Sequence, residues 1–263
     1  MKKNYKNFAA KSGELFLLAF AGEDSKPAVE MIQKYGLSGL YLSNDNIPNL
    51  NSAINLSEVL QSAAKKRGDS LPLLLGVDQE GIWSVMAEDS HPGPGNLALG
   101  SAGDLALTQQ RYQDIALELH QSGLNLVFSP CADVNTNPYN AIIGMRSFGT
   151  NPKNVGDHVA AAVKGAKSGG VLTTLKHFPG HGDTNIDSHR DLPIVRRSKD
   201  DVWEIELVPF RAGIDAGVDI VMTSHILYES LDPENPATFS KNILQDILRE
   251  KLGFQGVIIS DSM

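Results

Sequence analysis

The chain has 263 residues, of which 41% are hydrophobic, a formal net charge of −8 and a single cysteine. This hydrophobic content is enough for a sizeable core, in one large domain or two small ones. The acidic balance argues against nucleic acid as the main partner, because phosphate binding needs basic patches. The basic pair Arg196-Arg197 is expected to be a solvated end of an element. With only Cys131 present no internal disulfide can form, and its place after an apolar run predicts a packing role.

The N-terminal stretch has lysines followed by an apolar run, which superficially suggests a signal peptide. The run is short, follows Glu14 and precedes Glu23-Asp24, so we interpret it as the first buried strand. No segment of the sequence approaches the length of a membrane-spanning helix. We therefore expect a cytoplasmic protein with no membrane partner.

Short apolar runs alternate with helix-like stretches along the whole chain. This alternation predicts βα units around a parallel sheet. No linker or break in composition divides the sequence, so we expect one domain over residues 1–263. The predicted strands are 15–20, 39–42, 73–77, 124–128, 171–175, 219–222 and 257–259. The predicted helices are 26–34, 51–66, 104–122, 154–167, 199–216 and 240–251.

Polar residues follow most of the predicted strands. In a closed (β/α)8 barrel such residues converge on one mouth, whereas an open doubly wound sheet spreads them along an edge. No GxGxxG or Walker loop follows any strand, which weakens a nucleotide-binding fold. We therefore predict an α/β fold of the (β/α)8 TIM-barrel type. The strand-end residues are Asp78-Gln79-Glu80, Ser129 and Asp133, Lys176-His177, Ser224-His225, and Ser260-Asp261.

The predicted barrel is incomplete. It has seven strands, and the sequence stops at Met263, so the eighth strand and the last two helices are missing from it. Open strand edges favour association. We expect a C-terminally truncated barrel domain, with a missing segment, another polypeptide or self-association closing the gap.

The stretch from Lys176 to His189, KHFPGHGDTNIDSH, holds three of the seven histidines directly after an apolar strand. An ionisable, glycine-containing loop on a rigid strand is typical of a catalytic loop. His177 and His181 are spaced i, i+4, which suits metal ligation only on a helix, and Pro179 argues against a helix here. We therefore expect no metal site and interpret His181 as part of the loop scaffold.

Two acidic positions suggest catalysis. Asp187 lies two residues before His189, where a carboxylate can orient an imidazole and raise its basicity. A turn-capping Asp beside an exposed His is the alternative, and the position after a barrel strand favours proton transfer. Asp261, at the end of an apolar strand, could be a nucleophile, a metal ligand or a helix cap.

Other charged positions leave two interpretations open. Asp78 has a second acid two residues further on, which suggests a paired-carboxylate site. Lys176 and Arg146 could bind substrate hydroxyls or phosphate, or form a structural ion pair. His225 could line the mouth or satisfy a hydrogen bond in the core. His158 belongs to no constellation and is expected on the surface.

Four segments together resemble the N-terminal barrel of glycoside hydrolase family 3, in its bacterial β-N-acetylhexosaminidase branch. They are KHFPGHGDTNIDSH, VDQEG, IGMRSFG and the terminal IISDSM. The resemblance runs from about the first strand to the last residue. It implies a retaining exo-β-N-acetylglucosaminidase that needs no metal or organic cofactor. The implied substrate is a carbohydrate with a terminal β-linked N-acetylhexosamine, and peptidoglycan fragments are a candidate source.

The resemblance also implies roles for individual residues. Asp261 would be the nucleophile, His189 the general acid/base, and Asp187 the partner that orients it. A retaining glycosidase needs one group to attack the anomeric carbon and another to protonate the leaving oxygen, so the roles are chemically consistent. The residues implied to hold sugar hydroxyls before the scissile bond are Asp78, Arg146, Lys176 and His177.

The sequence departs from the family pattern at the missing end of the barrel and after DQEG, and it leaves two alternatives. The family usually continues DQEG with a glycine and a substrate-binding arginine, whereas Ile82-Trp83 follow here, which leaves the sugar preference open. One alternative is a phosphorylase of β-N-acetylglucosaminides or β-glucosides on the same scaffold, because a neutral histidine would not repel phosphate. The other is a non-catalytic sugar-binding subunit.

Overall fold

A computed structural model describes residues 12–68, 71–81, 84–86, 88–90, 93–185 and 191–263. The strands in these residues are β1 Leu17–Ala19, β2 Gly39–Leu42, β3 Leu74–Val77, β4 Leu126–Val127, β5 Leu172–Phe178, β6 Ile194–Val195, β7 Ile220–Thr223, β8 Leu227–Tyr228 and β9 Val257–Ser260. Seven of them form one parallel sheet in the order β1-β2-β3-β4-β5-β7-β9, and β6 pairs with β8. The predicted parallel α/β sheet is confirmed, with a strand at each of the seven predicted positions.

Helices connect the strands of the large sheet. Several begin at side-chain caps that the sequence supplies: the Asn49 side chain accepts from the Ser52 amide, and Asn151 caps the helix that Pro152 begins. The helices are α1 Lys26–Tyr35, α2 Leu50–Arg67, α3 Asn96–Ala102, α4 Leu105–Gln121, α5 Pro152–Ser168 and α6 Leu207–Asp215. The turns Lys199–Asp201 and the π-helical Val202–Glu206 run directly into α6, and a second π-helical segment spans Asn242–Lys251.

The large sheet is curled: strands from its two ends pack on one shared apolar cluster. Leu126, Phe128, Ile220 and Met222 form the buried part of this cluster, and partly buried side chains from β1, β2, β3 and β9 pack against it. A larger core of buried side chains fills the space between the helices and the sheet. The strand ends therefore face one common mouth, as the predicted barrel requires.

The sequence predictions about the burial of the first strand and the exposure of His158 are wrong. The first strand is not buried: β1 pairs only with β2 among the described residues, and Leu15 and Leu18 are 85% and 37% exposed. His158 is not on the surface: it lies inside α5, stacks on Phe148 at 5.3 Å between ring centroids, and contacts the Thr108 hydroxyl through Nδ1 at 2.8 Å. The apolar faces of α4 and α5 pack together and enclose the ring.

The described part of the chain contains no helix that is both long and apolar enough to cross a membrane. Its large sheet has seven strands, and β1 and β9 each have one neighbouring strand in it. A missing eighth strand stays a prediction.

Candidate active site

Side chains from the carboxyl ends of three strands and from one long loop meet at the mouth of the curled sheet. Asp78 directly follows β3, Lys176 and His177 lie in β5, and Asp261 directly follows β9. Arg146 comes from the long loop between β4 and α5, at the end of a short helical turn. Because the sheet is parallel and sequential, these strand ends lie on the same side.

Lys176 is the centre of a charged network. Its Nζ lies 2.5 Å from Asp78 Oδ1 and 2.5 Å from Glu80 Oε1. Arg146 makes a two-pronged contact with Glu80, from Nε to Oε2 at 2.8 Å and from Nη2 to Oε1 at 2.9 Å. The side chains of Lys176 and Glu80 are 3% and 1% exposed, whereas that of Asp78 is 36% exposed. Asp78 is thus the carboxylate of this network that a ligand in the mouth can reach.

The network fixes the charges of its members. Burial by itself would raise the pKa of Glu80, but the positive charges of Lys176 and Arg146 outweigh it and hold that pKa at about 2. Burial would lower the pKa of Lys176 and of Arg146, but the adjacent carboxylates raise both pKa values. All three groups therefore stay ionised at neutral pH, and the two cations remain hydrogen-bond donors.

Tyr41 borders the exposed side of Asp78. Its hydroxyl lies 3.3 Å from Asp78 Oδ2. Burial, together with the neighbouring negative charge of Asp78, raises the pKa of Tyr41 to about 12. The phenol therefore stays protonated and donates to the carboxylate.

A buried carboxylate orients His177. The ring donates from Nδ1 to Asp133 Oδ2 at 2.7 Å, and Asp133 Oδ1 accepts the backbone N–H groups of His177 and His181 at 3.2 and 2.7 Å. Burial opposes ionisation of Asp133, but the two histidines outweigh it and lower its pKa. Because Nδ1 is engaged by an ionised partner, Nε2 is the atom presented to the mouth, 3.3 Å from Arg146 Nη2.

Asp261 completes the mouth. Its carboxylate oxygen Oδ2 lies 3.9 Å from His177 Nε2, and its side chain is 12% exposed. Its backbone N–H donates to the Thr223 carbonyl at 3.2 Å, which continues the pairing of β9 with β7 and fixes where the side chain begins. Beside it, His225 contacts Thr238 Oγ1 through Nδ1 at 2.9 Å and the Ser262 carbonyl through Nε2 at 3.0 Å.

His181 lies beneath the mouth as scaffold. It is buried, its Nδ1 contacts Thr184 Oγ1 at 2.7 Å, and its carbonyl accepts from Asn140 Nδ2 at 2.7 Å. Burial first, and then the charge of His177, lower the pKa of His181 to about 4. A neutral ring that is enclosed in this way holds the loop together.

Three possible metal donors lie close together: the ligand atoms of Cys131, Asp133 and His177 are within 4.8 Å of one another. They are engaged with one another, because Asp133 Oδ2 accepts from Cys131 Sγ at 3.1 Å as well as from His177 Nδ1. Burial raises the pKa of the Cys131 thiol, which keeps it protonated. The predicted packing role of Cys131 agrees with its full burial.

The structure brings together five of the seven predicted site residues. Asp187 and His189 lie outside the described residues, as does Trp83. Two further members are not among the predicted site residues: Glu80 was considered only as the second acid of a paired-carboxylate site with Asp78, and Asp133 was given no role. Both were visible as acids after strand ends, and that position is the signal that finds them. The five residues that converge are Asp78, Arg146, Lys176, His177 and Asp261.

A curled parallel α/β sheet with carboxylates and cations at the strand ends defines an enzyme domain of the α/β-barrel class. The chain belongs to glycosyl hydrolase family 3: residues 8–263 match the N-terminal domain of that family. The resemblance found in the four sequence segments is confirmed.

Curated relatives carry the name beta-hexosaminidase. The chain is 38% identical over 252 residues to beta-hexosaminidase A of Pseudoalteromonas piscicida, an alignment that covers 89% of this chain and 42% of that protein. It is 36% identical over 257 residues to a beta-hexosaminidase of Stenotrophomonas maltophilia, which covers 95% of this chain and 74% of that protein.

Solved structures agree with these relatives. A glycoside hydrolase family 3 beta-N-acetylglucosaminidase from Paenibacillus superposes with a TM-score of 0.93 at 38% identity, covering 96% of this chain and 48% of that one. NagZ from Neisseria gonorrhoeae, in complex with N-trifluoroacetyl-D-glucosamine, superposes with a TM-score of 0.84 at 31% identity, covering 94% and 74%. The chain thus spans about half the length of the Paenibacillus protein.

Proposed function

We propose that the chain is the catalytic domain of a retaining exo-β-N-acetylglucosaminidase. The observation that carries the proposal is the position of Asp261, a partly exposed carboxylate that lies 3.9 Å from His177 Nε2. The mouth around it is lined by charged side chains that can hydrogen-bond to sugar hydroxyls. A carboxylate placed in this way suits attack on an anomeric carbon. The names of the relatives supply the N-acetylhexosamine, and peptidoglycan fragments are the proposed natural source.

In the proposed first step, Asp261 forms a bond to the anomeric carbon while the bond from that carbon to the leaving oxygen breaks. His189, oriented by Asp187, gives its proton to the leaving oxygen. In the second step, His189 takes a proton from water, the water oxygen bonds to the anomeric carbon, and Asp261 leaves. Two inversions give net retention of configuration.

The remaining residues would hold the sugar. Asp78 would accept from hydroxyls, while Lys176 and Arg146 would donate to them without losing their own buried partner, Glu80. His177 would present Nε2 to the sugar, because Asp133 fixes its Nδ1. Such preorganised donors and acceptors cost little reorganisation when the substrate binds.

Water is the proposed acceptor rather than phosphate. Asp78 and Glu80 lie against the two cations of the network, and Asp133 and Asp261 lie against His177. This excess of carboxylates disfavours a further anion in the mouth. Added phosphate that accelerates turnover and yields a sugar phosphate would overturn this choice in favour of the phosphorylase.

The test is the release of phenols from aryl β-N-acetylglucosaminides by the protein and by its Asp261→Asn variant. We expect hydrolysis with retention, read from the anomeric signals of the fresh product by NMR, and a loss of at least about 10³-fold in the variant. Asp200→Asn, a change at an exposed carboxylate in a helical turn, is the matched control and should leave turnover intact. Full activity of Asp261→Asn, or binding of the sugar without any turnover, would contradict the proposal.

A further inference from the structure

Arg197 joins three separated segments behind the mouth. Its Nη2 donates to Asp183 Oδ1 at 2.8 Å and to Thr136 Oγ1 at 2.6 Å, and the Thr136 hydroxyl lies 3.3 Å from the same Asp183 oxygen. The Arg197 side chain is only 16% exposed. The expectation that this arginine is a solvated end of an element is therefore wrong, although its neighbour Arg196 fits it, with a side chain that is 69% exposed.

The backbone is held in place at both residues of this contact, Arg197 and Asp183. It follows β6, which pairs with β8, and Val195 of β6 is buried. Asp183 lies in the turn that follows β5, held by Asn137, whose backbone N–H donates to the Gly182 carbonyl at 3.2 Å. The contact between Arg197 and Asp183 thus joins the two ends of the stretch 183–197, and these two residues form the base of that stretch.

Glu206 packs against this base. It is fully buried on the π-helical turn before α6, and its Oε1 lies 3.4 Å from Arg197 Nε. It also lies against Gly180, since a Cβ built there would come within 2.5 Å of Glu206 Oε2. Burial, opposed by Arg197 and assisted by Asp133 and Asp183, raises the pKa of Glu206 to about 8. Glu206 is therefore mostly protonated at neutral pH.

The stretch that this contact closes contains Asp187 and His189, the proposed acid/base pair. Asp183 lies four residues before Asp187, and Arg197 lies eight residues after His189. Fixing both ends of a connection reduces the conformational entropy that must be lost when its residues take up a reactive geometry.

We propose that Arg197 is a positioning residue, which acts through Asp183 and Thr136 to hold the base of the segment that carries Asp187 and His189. The inference rests on the proposed function of that pair. Arg197 touches none of the sugar-binding side chains among the described residues, so its contribution is to the proton donor and not to the binding of the sugar ring. Misplacing a catalytic group by about 1 Å can cost about 10²-fold in rate.

The test uses a series of aryl β-N-acetylglucosaminides that differ only in leaving group. In Arg197→Gln we expect kcat/KM for phenol, a poor leaving group, to fall about tenfold or more beyond the fall for dinitrophenol, which needs little protonation. Inhibition by free N-acetylglucosamine should stay within about twofold of the parent, because the sugar site is intact. Arg197→Lys, which keeps the charge but not the fork, should restore part of the loss.

The matched control is Arg196→Gln, the adjacent exposed arginine, for which we expect no dependence on the leaving group. A purely structural role would lower the amount of active protein, so all substrates would lose the same factor. An equal loss across the series, or weaker binding of N-acetylglucosamine, would overturn the inference. If Arg197→Gln does not fold, Asp183→Asn replaces it, because the amide keeps the shape and removes the charge, and the same pattern is expected.

The same experiment separates this inference from the proposed function. If His189→Ala shows the leaving-group dependence and the arginine variant does not, the positioning role is wrong and the proposed function stands. If the parent protein releases no phenol from any member of the series, both are wrong.

Discussion

His177 donates from Nδ1 to the fully buried carboxylate of Asp133 at 2.7 Å. That one contact places Nε2 within 3.9 Å of Asp261 and within 3.3 Å of Arg146. The same carboxylate accepts two backbone N–H groups, so a single buried acid aligns the end of β5 with the turn that follows it. The geometry of the proposed sugar site therefore depends on a residue that no ligand in the mouth needs to touch.

Replacing Asp133 by Asn should damage both stability and activity. The variant removes the charge that satisfies His177 Nδ1 and the two backbone donors, and breaking a buried, hydrogen-bonded charge costs about 3–5 kcal/mol. We expect a loss of this size in the free energy of unfolding, measured with urea, and a fall in kcat/KM. The control is Asp157→Asn, whose partner Lys153 is exposed, and it should change little. Equal stability of the two variants would contradict the account.

Glu80 should make stability depend on acid pH. Its pKa is lowered from 4.5 to about 2 in the folded chain, so it stabilises the fold above the higher value. That contribution is lost progressively as the pH falls through this window. The urea unfolding free energy of the parent should therefore drop between about pH 5 and pH 2, and Glu80→Gln should drop less steeply, from a lower starting value. Parallel slopes for the two proteins would show that Glu80 is not the group responsible.

Glu206 should act in the opposite direction. Its pKa is raised from 4.5 to about 8, so the folded chain binds a proton that the unfolded chain releases, and stability falls as the pH rises through this window. Burial is the main cause of this shift; the charge of Arg197 opposes it, and the charges of Asp133 and Asp183 add to it. Glu206→Gln keeps the shape without the ionisation, so its melting temperature should gain on that of the parent between about pH 5 and pH 9. A melting-temperature difference that does not change with pH would refute the assignment.

Gly182 should not tolerate a side chain. A Cβ at this position would lie 1.8 Å from the Val134 carbonyl oxygen, a backbone atom that cannot rotate away. Gly182→Ala must displace the loop that follows Asp133, so we expect a loss of about 1–3 kcal/mol in stability together with reduced turnover. Gly156→Ala is the control, because Gly156 lies in α5 and its Cβ would come no closer than 3.4 Å to the packed helix α6, at Ala212. Unfolding and kinetic measurements that rank the two variants equally would contradict this prediction.

Much of the fold follows from the sequence, because the period of apolar runs marks strands and helices before any packing is known. All seven strands of the large sheet lie where the sequence predicts them, within a few residues. The sequence analysis missed the short strands β6 and β8 and the helix α3. Strands of two residues and a helix of seven residues are too short to show a clear apolar period. The burial of β1 was wrong because exposure depends on which strands lie beside it.

The location of the site could be predicted from the sequence, but most of the contacts within it could not. A parallel sheet brings strand ends together, so Asp78, Lys176 and Asp261 could be grouped from their positions alone. The burial of Asp133 and of Arg197 could not be predicted, because it depends on loop paths that bring partners 44 and 14 residues away into contact. The sequence leaves open whether Lys176 and Arg146 bind sugar or form ion pairs, and in the structure they do form ion pairs.

The central claim is that Asp261 forms a covalent bond to the sugar. The direct measurement is the intact mass of the protein after reaction with a fluorinated N-acetylglucosaminide whose glycosyl–enzyme intermediate breaks down slowly, followed by mapping of the labelled peptide. We predict one added glycosyl group, located on Asp261, and no label on Asp261→Asn. A label on another residue, or turnover with retention and no covalent species on Asp261, would contradict the account.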